Sequence, residues 1–248
     1  MEYLSSLKNP KVQTWKSLKD RKGRKESGCF LVEGRKMVEE AAASRFQVEA
    51  ILADAERVQD FTLPEGIPVY TMPEHVLAAV CDTKTPQGIA AVVRIANSTE
   101  LGGKLVVMDG VQDPGNVGTI IRTADAAGME GVLLSSQCAD IFSPKVLRAT
   151  MGSIFRMGMV VTDDLPGELE KLKAKGISVI SSQLDGEPFY ERSPVGERFC
   201  LVIGSEGNGV TPEVQAVATH RVKLPMRGGA ESLNAAVAAG IMMYELMR

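Results

Sequence analysis

Residues 105–128, LVVMDGVQDPGNVGTIIRTADAAG, decide the fold class. LVVMD is a short apolar run ending on an acid and a glycine, the pattern of a strand buried on both faces. A polar, glycine-containing loop follows. The spacing then predicts a helix over 116–127, with Ile120, Ile121, Ala124 and Ala127 on one face and Gly128 as its stop. Downstream the alternation continues. Strands are predicted at 131–134, 157–161, 177–181, 199–203 and 222–224, with helices at 143–153, opened by Ser-Pro, and at 165–175, ended by Gly176. A closing helix rich in Ala and Met spans 232–247. Strands alternating with helices give an α/β domain with a mainly parallel sheet.

Upstream lies a smaller α/β region. Helices are predicted over 10–24, 34–44 and 73–80, and strands over 29–33, 48–52, 69–71 and 87–94. The stretch IANSTELGGK (95–104) is polar with two glycines and has the composition of a linker. The chain is therefore divided into domains at 1–97 and 104–248.

The composition excludes several classes. The 248 residues carry 28 Lys+Arg against 31 Asp+Glu, a formal charge of −3, and 44% are hydrophobic, the balance of a soluble globular protein. No window of the length needed to span a bilayer is free of charge. The opening MEYLSSLKNPKVQTWK has no apolar segment of the secretory type, so a cytoplasmic protein is expected. Cys29, Cys81, Cys138 and Cys200 are far apart, and His75 and His220 are isolated, which argues against a metal site or a redox dithiol. A Cys–His nucleophile stays open, although Cys200 sits in the apolar run RFCLVIG and reads as a buried thiol.

The near-neutral total hides an asymmetry. Within residues 8–25, KNPKVQTWKSLKDRKGRK, eight bases (Lys8, Lys11, Lys16, Lys19, Arg21, Lys22, Arg24 and Lys25) face one acid, Asp20. That block is +7, so the rest of the chain must be −10 to reach −3. It reads either as a phosphate-binding arm or as a solvated helix face. Trp15 lies inside it and is expected on a buried face.

Ligands on parallel sheets bind at the carboxyl ends of strands. Three loops there are dense in glycine and polar residues: 109–128, 203–210 (IGSEGNGV) and 224–234 (LPMRGGAESLN). Gly110, Gly115 and Gly118 do not have dinucleotide-fingerprint spacing, GSEGNG reverses it, and no Walker loop is present.

Together the three stretches NVGTIIRTADAAG, VIGSEGNG and LPMRGGAESLNAAVAAGIMMYE resemble the three motifs of the SpoU (TrmH-type) RNA 2′-O-ribose methyltransferases of the SPOUT superfamily, over roughly 104–248. The stretch from Asn9 to Ala41 more loosely resembles the substrate-binding domain that often precedes this catalytic domain. The resemblance implies a C-terminal trefoil knot, S-adenosylmethionine held in a bent shape by the second and third loops, and a homodimer with its site near the subunit interface. It also implies that backbone groups of Gly204, Leu224 and Leu233 hold the cofactor. Arg122, Asn116, Glu206, Ser232 and Asn234 form the implied catalytic set. Arg122 is a poor base because guanidinium stays charged; a fork on an adjacent phosphate suits it better, with a general-base role left open. Asn116 and Ser232 also read as helix N-caps. The basic arm then contacts RNA phosphates, and ribosomal RNA is the expected substrate. The alternatives are transfer RNA or a non-catalytic RNA-binding protein of the same fold.

Overall fold

The computed structural model describes residues 1–96 and 101–248. Asn97–Glu100, in the expected linker, lie outside the described residues. In chain order the elements are β1 (Glu2–Tyr3), α1 (Pro10–Ser17), α2 (Arg21–Ser27), β2 (Cys29–Glu33), α3 (Arg35–Ala42), β3 (Val48–Asp54), β4 (Val69–Met72), α4 (Glu74–Val80), β5 (Ile89–Arg94), β6 (Lys104–Asp109), α5 (Pro114–Ala127), β7 (Gly131–Ser135), α6 (Pro144–Thr150), β8 (Met159–Thr162), α7 (Leu165–Ala174), β9 (Ser178–Pro188), β10 (Phe199–Gly204), α8 (Pro212–Val217), β11 (His220–Lys223) and α9 (Ala235–Leu246). Two compact units result. One is Met1–Ala96 with Phe142–Arg156; the other holds Asn97–Ile141 and Met157–Arg248.

In the first unit the sheet order is β1-β4-β3-β5-β2, with β5 antiparallel to both its neighbours. The single helix expected over 10–24 is two. It breaks because the buried Arg24 guanidinium donates to the carbonyls of Leu18 (2.7 Å) and Lys19 (2.8 Å), the groups that continued helix would have used. Trp15 is buried, its ring 5.0 Å from that of Tyr70. The segment Phe142–Arg156, which the sequence assigns to the second domain, packs with the first. Phe30 is fully buried, with the rings of Phe142 at 4.6 Å and Phe155 at 6.4 Å, and Phe155 meets Phe46 edge-on. Arg148 pairs with Asp82 at 2.8 Å and Arg156 with Glu40 at 2.6 Å. Aromatic burial decides here, and a strand–helix alternation does not report it.

The second unit has a wholly parallel six-stranded sheet in the order β11-β9-β10-β6-β7-β8. Its central strands, β6 and β10, are buried on both faces: Leu105, Val106, Val107, Met108, Leu201 and Val202 have no exposed surface. That is the environment their continuous apolar runs require. The short helix α8 and the two-residue β1 were not expected; both are too short to show a period.

Candidate active site

The site is built where two parallel ladders separate. β9 pairs with β10 only from Ser178 to Ser181. Along β11, the partners jump from Ile180 and Ser181 to Glu187 and Pro188, so residues 182–186 bulge out of the ladder. The bulge closes at Gly186, where a Cβ would strike the backbone of Arg221 and Val222. Beside it, the loop after β10 turns back sharply. Ser205 and Gly209 exchange backbone hydrogen bonds of 3.0 and 2.9 Å. A Cβ on Gly204 would collide with the backbone of Gly209 and Val210, so this return requires glycine. Asp109, at the end of β6, fixes the return by accepting from Thr211 N (2.7 Å) and Oγ1 (2.8 Å).

The bulge, the returning loop and the segment 223–235 enclose a cavity of about 620 Å³. Ile203, Val210, Leu224, Ala235 and Ala238 supply an apolar wall; Glu206, Lys223, Glu231 and Ser232 supply polar and charged groups. Gly204, Leu224 and Leu233, the expected cofactor residues, all line it. The volume is that of an ordinary small-molecule site.

Three residues from three distant motifs meet at this cavity. Asn116 Nδ2 donates to Glu206 Oε1 at 2.5 Å, and Asn234 Nδ2 donates to Asn116 Oδ1 at 2.9 Å. Glu206 and Asn234 line the cavity. Asn234 also caps α9, its Oδ1 accepting from Ala236 N and Val237 N. The caps therefore differ from those expected. Asp113, not Asn116, caps α5, and Asn234, not Ser232, caps α9. Asn116 sits in the first turn of its helix, which leaves its amide for Glu206 and Asn234.

Arg122 stands apart from this network. It is exposed, does not line the cavity and has no hydrogen-bond or ion-pair partner among the described residues. Six residues along a helix place it about 9 Å and about 120° from Asn116. It lies on the exposed side of α5, and α5 packs against α9. On α9 an apolar stripe, Val237, Ile241 and Tyr244, is exposed, and Leu233 continues it.

The basic arm divides. Lys11 Nζ donates to Glu2 Oε2 (2.9 Å) and the Tyr70 hydroxyl (3.1 Å), which raises its pKa; Lys19 Nζ donates to the Ala79 carbonyl (2.8 Å). Arg24 is 4% exposed and tied to the α1–α2 turn, so it is not available to a phosphate and corrects the expectation from sequence. Lys8, Lys16, Arg21, Lys22 and Lys25 remain exposed. Lys22 meets Glu26, at 3.8 Å. The cysteine nucleophile is also removed: all four thiols are free and buried, and burial pushes those of Cys81 and Cys200 up to about 12.

Residues 103–244 match the model of the SpoU rRNA methylase family. The chain belongs to that family. Residues 9–91 match the MRM3-like substrate binding domain, as the looser N-terminal resemblance implied. The chain is 41% identical, over 99% of both chains, to the 23S rRNA (guanosine(2553)-2′-O)-methyltransferase RlmP of Bacillus subtilis (strain 168). Among solved structures, the AdoMet-bound rRNA methyltransferase from Sinorhizobium meliloti superposes with a TM-score of 0.87 at 30% identity, covering 99% of this chain and 97% of that one. The SpoU methyltransferase AviRb from Streptomyces viridochromogenes, in complex with AdoMet, gives 0.84 at 28%, covering 97% of each. Within this family fold the residues that the sequence did not single out are Gln183 and Lys223 in the cavity wall and the Asp109–Thr211 clamp. Gly186 was the only local signal of the bulge.

Proposed function

We propose that this protein transfers a methyl group from S-adenosylmethionine to a ribose 2′-hydroxyl of RNA, leaving S-adenosylhomocysteine and releasing the hydroxyl proton, with ribosomal RNA as the substrate class. The observation that carries the reading is the cavity of about 620 Å³ whose wall contains one corner of the Asn116–Glu206–Asn234 network from each of the second and third motifs. The cavity chemistry fits the cofactor: an apolar slot for a flat base, backbone groups brought close by Gly204, and charged side chains for a zwitterionic tail. Gly204, Leu224 and Leu233 would hold it. When bound, it supplies an electrophilic methyl on a sulfonium centre.

The chain's own residues bind and orient the acceptor. Asn116 holds Glu206 by its Oε1, leaving Oε2 without a partner among the described residues. That oxygen accepts a hydrogen bond from the target nucleotide. Arg122 forks onto a neighbouring phosphate and sets the hydroxyl in line for displacement. Ser232 adds a hydroxyl at the cavity wall. The five exposed bases of the arm hold more distant phosphates without reading sequence.

A second copy of the chain covers the apolar stripe of α9. Water-exposed Val237, Ile241 and Tyr244 beside the helix that carries an unpartnered Arg122 support such a homodimer. We further place RNA binding at 1–97 and catalysis at 104–248, apart from the segment 142–156, and assign the C-terminal segment a trefoil knot. Four buried free thiols fit a reducing, cytoplasmic setting. The relative's name makes 23S rRNA the RNA to try first.

Calorimetry with S-adenosylmethionine tests the cofactor assignment. One molecule bound per chain is expected, and no heat of binding from folded protein would contradict it.

A further inference from the structure

One polar group in the cavity wall is left over by the fold. Gln183 lies in the bulge of β9 and is only 8% exposed. Its Nε2 donates to Ser181 Oγ at 2.9 Å, and Ser181 is itself fully buried. Its Oε1 has no partner among the described residues. A buried acceptor without a donor is costly, by enough to be selected against unless something meets it. Gln183 lines the cavity whose wall also includes the apolar Ile203 and Val210.

We propose that Gln183 is a specificity residue of the cofactor site, its Oε1 accepting a hydrogen bond from the exocyclic amine of adenine. This rests on the S-adenosylmethionine assignment above. Of the donors such a ligand carries, the adenine amine suits this place. It is neutral, so a neutral amide oxygen in a buried wall meets one of its two hydrogens without bringing a charge. The charged ammonium would need a carboxylate there. Glu231, which is exposed, offers one elsewhere on the wall. With Nε2 on the Ser181 hydroxyl, Oε1 is the end of the amide left for a ligand.

The test compares S-adenosylhomocysteine with the analogue whose adenine C6 carries hydrogen in place of the amine, titrated into the full-length protein. Wild type is expected to prefer the amine by at least about tenfold. In Gln183→Met, of similar size, affinity for the amine compound falls to that of the analogue and the preference collapses. Gln183→Glu, which keeps an acceptor at the same position, retains it. A preference undiminished in Gln183→Met overturns the proposal. Equal affinities in wild type overturn it even if the variants do not fold, and leave the cofactor assignment standing. Binding of neither compound removes the cofactor assignment itself.

Discussion

The two units use polar side chains in opposite ways. In the first, the charged residues that looked most functional in sequence are partly absorbed by the fold. Arg24 ties a helix break, Lys19 holds a carbonyl of α4, and Lys11 is engaged by Glu2 and Tyr70. In the second, unremarkable amides and a lone carboxylate from positions 116, 206 and 234 are drawn together at a cavity wall. Charge density along the chain is thus a weak guide to which group meets a ligand, because a charged side chain also serves as a donor to orphaned backbone carbonyls. Convergence of distant polar groups on one cavity is a stronger guide, since it brings together side chains that local helix and strand formation alone would leave apart.

The largest effect that would sharpen the contrast concerns Arg122 and Asn116. Arg122→Ala is expected to lower kcat by about a hundredfold or more, the scale of a lost transition-state contact, while S-adenosylmethionine affinity and melting temperature stay at wild-type values. Asn116→Ala, which frees Glu206 Oε1 and removes the partner of Asn234, should cost about tenfold in kcat with a smaller change in KM. Single-turnover methyl transfer measures both. Full activity in Asn116→Ala would break the view that the second unit gathers its chemistry from separate motifs.

Next comes the arm. Arg24→Ala should destabilise the protein by about 2 kcal/mol, because two carbonyls lose a charged, buried donor, with no change in the salt dependence of RNA affinity beyond that caused by unfolding. Changing Lys16, Arg21, Lys22 and Lys25 together to Ala should do the reverse. Melting is unaffected, and the slope of log affinity against log salt drops by about one per phosphate contact removed. A steep salt slope that survives the fourfold change would place RNA binding elsewhere.

The smallest effect is a pH dependence shared by both units. The thiols of Cys81 and Cys200 sit at about 12 in the folded protein against 9.0 for the ordinary group. Above pH 9 the unfolded chain loses protons that the folded chain keeps, so stability is full below that pH and declines as pH rises toward 12. The limit is about 1.4 kcal/mol per pH unit for each thiol. Denaturant titrations from pH 8 to 10.5 on wild type and Cys200→Ala should show a shallower decline in the variant.

Much of this was legible in the sequence. The central strands of the second unit were readable because both faces are buried, so each is a continuous apolar run such as LVVMD or FCLVIG. The three loops announced themselves by glycine, and Gly204 shows why: the chain returns through space that a side chain would fill. The break between α1 and α2 was not legible, because it depends on a guanidinium reaching back to carbonyls five and six residues earlier. The membership of Phe142–Arg156 in the first unit depends on rings more than a hundred residues apart in sequence. Gln183 was invisible for a similar reason. Only the register jump between β9 and β11 turns it from a strand residue into a wall of the cavity.

The central claim is tested most directly by incubating the protein and S-adenosylmethionine with unmodified 23S rRNA, digesting the RNA to nucleosides and identifying the product by mass spectrometry. A single new 2′-O-methylated nucleoside is expected, absent with Arg122→Ala. Methylation on a base, or none by a protein shown to bind both cofactor and RNA, would contradict it.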